Sequence, residues 1–366
     1  MIGIMTFHRA NNYGAVLQCY ALQRALNDEG IRNQVIDYRC RYIEKHYSPM
    51  PSVSFKHTKR FCLDLLQVPN KIKTRKRFKS FLNKYISMST PMLKEELRTK
   101  TKNYKTIIVG SDQVWNKLSS NGDKSYLLDF ASKNTTKISY AASVGIEEWQ
   151  TTEKEDMRKS LEGFTSISVR EPKSVEMIKE VYGGDVHVNV DPTVLLKVSE
   201  WEKITNESKL KKRDFIFVYI MQPSDNLYLV AKELSKNENL EIISISTTER
   251  KCKIGKNAKG AAVSDFLWYI KNAKYVVTNS FHGMMFSMIF QKEFFWDYQK
   301  GSNMSNMRFD MLVEQYGIRS RCYDKNKAIN DYSDLNYELI KKTMKQQRME
   351  GLNYLIQNTK GDNGGK

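Results

Sequence analysis

Short apolar runs alternate with segments of helical period along most of the chain, and this alternation constrains the fold more than any other feature. It begins with an apolar run over Met1–Phe7, a helical stretch over Ala15–Asn27 and a strand-like run over Gln34–Tyr38. Strands that alternate with helices are typical of a parallel sheet covered by helices on both faces. The same pattern predicts four more strands in the first half: Lys105–Val109, Lys137–Tyr140, Ser166–Val169 and Val186–Val190.

The alternation starts afresh beyond a polar, charged segment over Lys203–Arg213, which predicts a second α/β domain. A chain of 366 residues is also too long for a single core. We therefore predict the α/β class, with two Rossmann-like domains facing a cleft. The first covers residues 1–202 and is completed by a C-terminal helix over 334–358, and the second covers 203–333. Its predicted elements are strands over Phe215–Ile220, Ile242–Ile245, Tyr275–Thr278 and Phe294–Asp297, and helices over Leu227–Ser235, Ser264–Asn272 and Phe281–Phe290.

Positive charge is concentrated in Lys56–Lys84, the basic segment, which we place in the first domain. The chain has a formal net charge of +18, and this window holds ten Lys or Arg against one acid. Such a face attracts anions, whether nucleic acid, acidic lipid head groups or a phosphorylated substrate, while the alternative is an ordinary solvated helix face. Its aromatic residues Phe61, Phe78 and Phe81 have the helical spacing of buried side chains, and no nucleic-acid motif is visible. We therefore expect no nucleic-acid partner.

Other features of the composition narrow the class of protein. No apolar run reaches the 18 residues typical of a membrane span, and the first residues lack the pattern of a secretory signal, so we expect a cytoplasmic protein. The five cysteines are scattered and never spaced as metal ligands, which predicts reduced, mostly buried thiols and no metal site. The tail from Gly361 to Lys366 has the composition of a disordered segment.

The loop in "TFHRANNYGAVL" is the first candidate binding segment, because loops after strands carry ligands in open α/β sheets. Asn11 or Asn12 is predicted to cap a helix that starts at Tyr13 or Gly14. Glycine lets the backbone approach a ligand, and the N–H groups of a first helical turn suit an anion or a sugar hydroxyl. The alternative is a capped helix with nothing bound. His8, just past the strand, is a further candidate.

The loop in "TIIVGSDQVWN" places a carboxylate after the apolar run Ile107–Val109. Asp112 in this position can accept a proton from an attacking hydroxyl, and Trp115 offers a flat face for a sugar ring. The alternative is that Asp112 caps a helix and Trp115 lies in the core.

In "SISVREPKSVEM", Arg170 and Glu171 follow a strand and Pro172 is predicted to start a helix. A guanidinium beside a helix N-terminus can hold a carboxylate or phosphate. The alternative is a structural ion pair between Arg170 and Glu171.

The stretch "VTNSFHGMMF" places an ionisable ring at the start of a helix. Asn279 or Ser280 is the predicted cap, and His282 lies in the first turn, followed by Gly283. A bound phosphate would favour the protonated ring, which could then donate a proton. The alternative is a histidine with a purely structural role.

The motifs "TFHRANNYGAVLQCYALQ", "VGSDQVWN", "YAASVG", "SVREPKS", "VDPTVLL" and "TNSFHG" occur in an order that resembles the polysaccharide pyruvyl transferase family. The resemblance spans roughly Met1 to Asp297, and "MRFDMLVEQYGI" is similar to the family's later pattern. It implies a fold similar to the GT-B glycosyltransferases, with phosphoenolpyruvate as donor and a sugar of a surface polysaccharide as acceptor. The implied product is a pyruvate ketal, formed without a metal or redox cofactor.

The resemblance also implies roles for the candidate residues. His282 becomes the acid or a phosphate ligand and Asp112 the base. The donor-binding residues are Arg170, Ser280, Gly283 and Arg308, and the acceptor-binding residues are Asn11, Asn12, Tyr13, Gly14 and Trp115.

The acceptor can be a polysaccharide or its precursor on a polyprenyl phosphate, in which case the basic segment would rest on an anionic membrane. The alternative activity is that of a GT-B glycosyltransferase that uses a nucleotide sugar. Donor binding separates the two, since only a glycosyltransferase should bind nucleotide diphosphates.

Overall fold

The computed structural model describes residues 1–50, 65–205, 214–245, 254–300 and 305–359. The chain forms two compact units. Unit 1 contains residues 1–47, 82–196 and 344–366, and unit 2 contains residues 48–81 and 197–343. Three predictions fall wholly or partly outside the described residues: the disordered tail, the thiols of Cys62 and Cys252, and the first part of the basic segment with Lys56, Lys59 and Arg60.

The strands lie close to the predicted ones, because buried parallel strands are continuous apolar runs. In unit 1 they are β1 Ile2–Met5, β2 Asn33–Val35, β3 Thr106–Val109, β4 Thr136–Ser139, β5 Phe164–Val169 and β6 Val186–Val188. In unit 2 they are β7 Phe215–Tyr219, β8 Glu241–Ser244, β9 Lys256–Asn257, β10 Tyr275–Thr278 and β11 Glu293–Trp296. The two-residue β9 is polar and was not predicted.

The helices of the described residues are, in chain order, α1 Tyr13–Asp28, α2 Arg41–His46, α3 Val68–Tyr85, α4 Lys94–Lys100, α5 Lys117–Ser120, α6 Thr151–Leu161, α7 Ser174–Lys179, α8 Val198–Ile204, α9 Asp225–Glu238, α10 Val263–Asn272, α11 Phe281–Ile289, α12 Met307–Tyr316 and α13 Tyr337–Thr359. Short 3-10 turns occur at Lys124–Leu127, Pro192–Val194, Ile318–Arg321 and Ile329–Asp331. None of the helices in these described ranges is both long and apolar enough to cross a membrane.

Unit 1 is built on a parallel six-stranded sheet with the order β2-β1-β3-β4-β5-β6. The chain runs from β1 outward to β2 and then returns to the other side of β1 with β3. The carboxyl ends of β1 and β3 therefore form a topological switch point, the place where ligands bind in open α/β sheets. One face is sealed by an apolar core that includes Ile107, Val109, Ile167 and Val169.

Unit 2 repeats this design on a parallel five-stranded sheet with the order β11-β10-β7-β8-β9. Here β7 leads to β8 and β9 on one side, and the chain then crosses back to β10 and β11. The switch point consequently lies between the carboxyl ends of β7 and β10. Ile216, Val218 and Val277 fill the core beside it, together with Leu227 and Val230 of α9.

The division into units corrects the predicted placement of the basic segment. We assigned it to the first domain, but residues 48–81 belong to unit 2. The physical reason is a contact between residues that lie far apart in the sequence. Arg77 Nη1 donates to the Gly260 carbonyl at 2.8 Å and to Asp265 at 3.1 Å. The first boundary falls at 196/197 instead of 202/203, and the chain beyond residue 343, with most of α13, belongs to unit 1.

Candidate functional site

The switch point of unit 1 is held by a buried polar network between the ends of β1 and β3. The Gln18 amide donates to Thr6 Oγ1 at 2.8 Å, and its carbonyl oxygen accepts from the Ser111 N–H at 3.1 Å. Thr6 Oγ1 in turn donates to the Ser111 carbonyl at 3.3 Å. Because buried polar groups must be hydrogen-bonded, this network fixes the loop that carries Asp112 relative to the end of β1.

Several predicted acceptor-side residues gather at this point. The Asn12 side chain caps α1 by accepting from the Ala15 N–H at 3.3 Å, and the Asn11 amide donates to the Tyr47 carbonyl at 3.5 Å. Burial raises the pKa of Tyr47 to about 12; the nearby Asp112 charge adds to the rise and a hydrogen bond with Asn12 opposes it. Asn11, Asn12, Tyr47 and Asp112 are all half-buried, so their polar groups face a partly open surface.

Asp112 also has a distinct backbone position. Its φ is +69°, in the left-handed region, and its carboxylate accepts from the Gln113 N–H at 2.9 Å. Gly110 before it has φ +120°, and a Cβ there would lie 2.2 Å from the Tyr140 carbonyl oxygen, so only glycine fits. The sharp turn delivers the Asp112 carboxylate to the end of β3 without a helix behind it, which corrects the alternative of a helix cap.

Three residues of the predicted acceptor site are more buried than expected. Tyr13 and Gly14 are buried within the first turn of α1, and Tyr13 is only 2% exposed. Trp115 is 6% exposed and packs edge-on against Phe164, while its indole N–H donates to the Tyr126 carbonyl at 3.1 Å. Its ring is therefore part of the core instead of an open platform for a sugar, although its edge lines a pocket together with Trp149.

Arg170 is the clearest correction to the predicted donor site. Its side chain is 1% exposed, with Nε 2.9 Å from Glu171 and Nη1 3.1 Å from Asp191. Burial opposes its charge, but Glu171 and Asp191, with a further contribution from Asp112, raise the pKa of Arg170 above its ordinary value. The helix behind it begins at Ser174 instead of Pro172 and has only six residues. Arg170 is thus a buried ion-pair residue that links the end of β5 to Asp191, which follows β6.

A second buried cluster lies at the carboxyl ends of β1 and β2. Of its three residues only His8 was predicted as a candidate, and Arg9 and Asp37 were not. Asp37 accepts from His8 Nε2 at 3.0 Å and from Arg9 Nε at 2.7 Å, with a further hydrogen bond from Arg9 Nη2. Burial opposes ionisation of Asp37, yet the hydrogen bonds from His8 and Arg9 outweigh it and hold its pKa well below the usual range. Arg9 and Asp37 could have been found by listing the polar residues that directly follow each predicted strand.

The switch point of unit 2 is organised by Asn279, which follows β10. Its side-chain oxygen accepts from the Met221 N–H and its amide donates to the Gln222 carbonyl, both at 2.8 Å, so it joins the loop after β7 to the loop after β10. Next to it, Ser280 caps α11 by accepting from the Gly283 N–H at 3.3 Å. His282 follows in the first turn of this nine-residue helix and is 7% exposed. The predicted cap and histidine are therefore both in place.

Arg308 is connected to the segment around Asn279 through Gln299. Its guanidinium donates to Gln299 Oε1 at 2.8 Å, and Gln299 Nε2 donates to the Asn279 carbonyl at 2.6 Å. Arg308 also lies over the Phe309 ring and is half-buried. A cationic side chain is thus tied by two hydrogen bonds to the segment that carries His282. Asn279 and Gln299 were not predicted as site residues. The sequence around them does not predict that Gln299 connects Asn279 to Arg308.

Gly283, a predicted donor-binding residue, has a packing role at this position. A Cβ on Gly283 would lie 2.4 Å from Thr278 Oγ1, so glycine allows α11 to approach the end of β10. Thr278 Oγ1 donates to the Tyr219 carbonyl at 2.6 Å and accepts from the Ser280 N–H at 3.0 Å. This close contact sets the position of the first turn of α11 and with it the position of His282. Across the described residues no group of three or more potential ligands could hold a metal ion.

Comparison with known proteins gives the family and the fold. A family model described as polysaccharide pyruvyl transferase matches residues 12–296. No curated protein matches the sequence significantly.

Among solved structures, UDP-GlcNAc 2-epimerase from Neisseria meningitidis bound to UDP-GlcNAc is similar at a TM-score of 0.50 with 8% identity, over 98% of both chains. UDP-GlcNAc 2-epimerase from Methanocaldococcus jannaschii has a TM-score of 0.49 with 11% identity, over 94% of this chain and 91% of its own. The first likeness confirms the predicted fold class, a GT-B-like pair of α/β units with parallel sheets. The matched family model covers well over half of the sequence and includes Asp112 and His282. The chain therefore belongs to the polysaccharide pyruvyl transferase family.

Proposed function

We propose that this protein transfers a pyruvyl group from phosphoenolpyruvate to two hydroxyls of one sugar in a surface polysaccharide or its lipid-linked precursor, forming a ketal. Family membership supports the reaction class. The single structural observation that carries the proposal is the switch point of unit 2. There His282 in a capped first helical turn and Arg308 are both attached to the segment around Asn279.

The donor needs the features that this group offers. Phosphoenolpyruvate carries a phosphate and a carboxylate, which guanidinium groups and helix N-termini bind well. Arg308 supplies a guanidinium, and the first turn of α11 supplies backbone N–H groups and its dipole. A phosphate held here would stabilise the protonated form of His282, which would make the ring a proton donor.

The reaction balances without an added oxidant or reductant. His282 donates a proton to the donor's methylene carbon, which becomes a methyl group, and C2 becomes electrophilic. One sugar hydroxyl adds to C2 and loses its proton to a base, for which we propose Asp112. The C2–O bond to phosphate breaks, and the second hydroxyl adds to C2 and closes the ketal. One hydroxyl proton restores His282 and the other leaves with phosphate, so the step that we propose needs no metal or redox cofactor.

Acceptor binding is proposed for unit 1, where Asn11, Asn12 and Asp112 present half-buried polar groups at the other switch point. Amide side chains of this kind suit the hydroxyls of a sugar. Arg170 is proposed to act indirectly, by bracing the strand ends near Asp112 through its ion pairs with Glu171 and Asp191.

The test is ligand-dependent thermal stability. We expect phosphoenolpyruvate to raise the melting temperature, because a ligand present at 100 times its Kd stabilises the folded state by about 2.7 kcal/mol. His282→Ala and Arg308→Gln should reduce or abolish this rise. His187→Ala and Arg158→Gln, which alter exposed residues of unit 1, are the matched controls and should keep it.

Two results would overturn the assignment. A full rise with phosphoenolpyruvate in His282→Ala would remove His282 from the donor site. A rise with nucleotide diphosphates and none with phosphoenolpyruvate would favour the glycosyltransferase alternative. Pyruvate and inorganic phosphate serve as partial ligands that separate carboxylate binding from phosphate binding.

A further inference from the structure

The basic segment has one face that the site described above does not use. In α3 the side chains of Phe78 and Phe81 are buried, at 2% and 4% exposure. The rest of the helix surface carries four exposed cations, which we call the basic face: Lys73, Arg75, Lys76 and Lys79. Because a helix turns 100° per residue, Ile72, Lys76 and Lys79 form one stripe at i, i+4 and i+7, and Lys73 and Arg75 flank it. The face therefore points away from the core of unit 2.

The charge of the basic face is not neutralised by its surroundings. Arg77, on the flank of α3, pairs with Asp265 at 3.1 Å and so fastens the helix to unit 2. Among the residues that the structure describes, no acidic side chain forms an ion pair with any of the four cations of the basic face. α3 itself has no acidic residue. Four unneutralised cations on one exposed face favour an anionic partner.

Apolar side chains stand beside these cations. Leu65 is 41% exposed and Leu66 is 76% exposed, both just before α3, and Ile72 in the first turns of α3 is 38% exposed. Large exposed aliphatic residues are costly in water and contribute nothing to the binding of a soluble polyanion. A helix that combines basic side chains with exposed leucine or isoleucine is instead typical of binding in the plane of a membrane surface, where cations meet anionic head groups and the apolar groups enter the acyl boundary.

We propose that the basic face, with Leu65, Leu66 and Ile72, is a docking surface for an anionic lipid bilayer. The surface lies at the carboxyl edge of the sheet of unit 2, because Arg77 is bonded to Gly260, in the loop that follows β9. β9 is separated from β10 by β7 and β8, which places it about 14 Å from β10, the strand that precedes the helix with His282, at roughly 4.8 Å per strand. Docking would hold this edge of unit 2 near the membrane whether or not the donor assignment is correct.

The experiment is flotation of the full-length protein with two kinds of vesicle, phosphatidylcholine alone and phosphatidylcholine containing one third phosphatidylglycerol. We expect binding only to the anionic vesicles, and less binding at high salt because the Debye length falls to about 3 Å at 1 M. Neutralising the basic face in one variant, Lys73→Gln, Arg75→Gln, Lys76→Gln and Lys79→Gln, should weaken binding about 600-fold, since each of the four cations near the surface contributes about fivefold and the factors multiply.

A matched control removes the same number of charges elsewhere. The residues Lys102, Lys133, Lys342 and Lys345 are exposed, and their change to Gln should leave vesicle binding nearly intact. A second variant, Leu65→Ser with Leu66→Ser, keeps every charge. It should bind anionic vesicles at least tenfold more weakly, since about 0.8 kcal/mol is lost for each CH₂ withdrawn from the bilayer. Thermal melts of all variants check that the fold is unchanged.

Each remaining outcome overturns the proposal. Absence of wild-type binding to anionic vesicles does so directly, as does undiminished binding of the variant without the basic face. Equal loss in the matched control would show an effect of net charge alone. Wild-type binding strength in the leucine variant would show that Leu65 and Leu66 do not enter the bilayer and that the attraction to the vesicles is electrostatic alone.

Discussion

Individual residues set the candidate site through hydrogen bonds to backbone atoms. Asn279 fastens the loops after β7 and β10 to each other, and Gln299 links this segment to Arg308. In unit 1, Gln18 has the corresponding role between the ends of β1 and β3. These amides are buried or half-buried, so their geometry does not depend on solvent. Rigid loops of this kind hold catalytic groups in place before substrate binds.

Gly283 provides the sharpest residue-level prediction about the position of His282. Gly283→Ala should lower the free energy of unfolding by about 1–3 kcal/mol, because its Cβ would press on Thr278 Oγ1 and displace α11. Gly183→Ala is the matched control, since a Cβ there meets nothing within 4 Å. Urea unfolding of the two variants measures the difference. Equal stability of both would show that the close contact carries no strain.

Asp37 predicts a pH dependence of stability. Its pKa is lowered on folding by His8 and Arg9, so its ionised form stabilises the protein above the unfolded pKa of about 3.9, and this contribution is lost as the pH falls through the folded value. Asp37→Asn should therefore cost about 3 kcal/mol at pH 7. The difference from wild type should stay constant from pH 7 to about 5 and shrink below about 4. Urea unfolding across this range checks it; a difference that grows on acidification would contradict the sign.

At the scale of secondary-structure elements, α13 attaches the C-terminal residues to unit 1, the domain that the C-terminal helix was predicted to complete. Tyr354 Oη donates to the Ser139 carbonyl and accepts from Ser166 Oγ, both at 2.9 Å, and so joins the helix to β4 and β5. Arg348 donates to the carbonyls of Val194 and Leu196 at 2.8 and 3.1 Å. The C-terminal residues thus satisfy backbone groups more than 150 positions earlier in the chain.

Removal of residues 344–366 should therefore destabilise unit 1 severely. The deletion exposes buried Tyr140, leaves the Ser139 carbonyl of β4 without its donor Tyr354 and leaves Ser166 Oγ of β5 without its acceptor. We expect a melting temperature at least 10 °C lower, or loss of cooperative unfolding. The control deletion removes only residues 360–366 and should melt as the full chain does. An unchanged melting temperature for the longer deletion would contradict this role of α13.

For the molecule as a whole, the sequence was sufficient to predict the fold class but not the partners of its charged residues. Buried parallel strands are apolar runs, so β3 and β10 were predicted almost residue by residue. The ion pair of Arg170 with Asp191 and the contact of Arg77 with Asp265 join residues far apart in the chain. No local pattern predicts such pairs, and for this reason Arg170 was assigned to a ligand and the basic segment to the wrong unit.

Repetition of one design in both units explains why the motif positions could still be predicted. Each sheet has a switch point at its first strand, and polar residues follow the strands on either side of it. Asp112 lies on such a loop, and His282 lies in the first turn of the helix that directly follows one. The role of Trp115 was harder to predict, because an aromatic residue near a strand end can face either a ligand or the core, and only packing against Phe164 decides between them.

Transfer of the pyruvyl group itself is the most direct test of the account. The protein would be incubated with phosphoenolpyruvate carrying ¹³C at its methylene carbon and with glycan acceptors from cells that make the protein, and followed by ¹³C NMR. We predict a new methyl resonance on the glycan and one phosphate released for each ketal formed, with both absent in His282→Ala and retained in His187→Ala. Transfer by His282→Ala at the wild-type rate, or glycan extension that requires a nucleotide sugar and ignores phosphoenolpyruvate, would contradict the account.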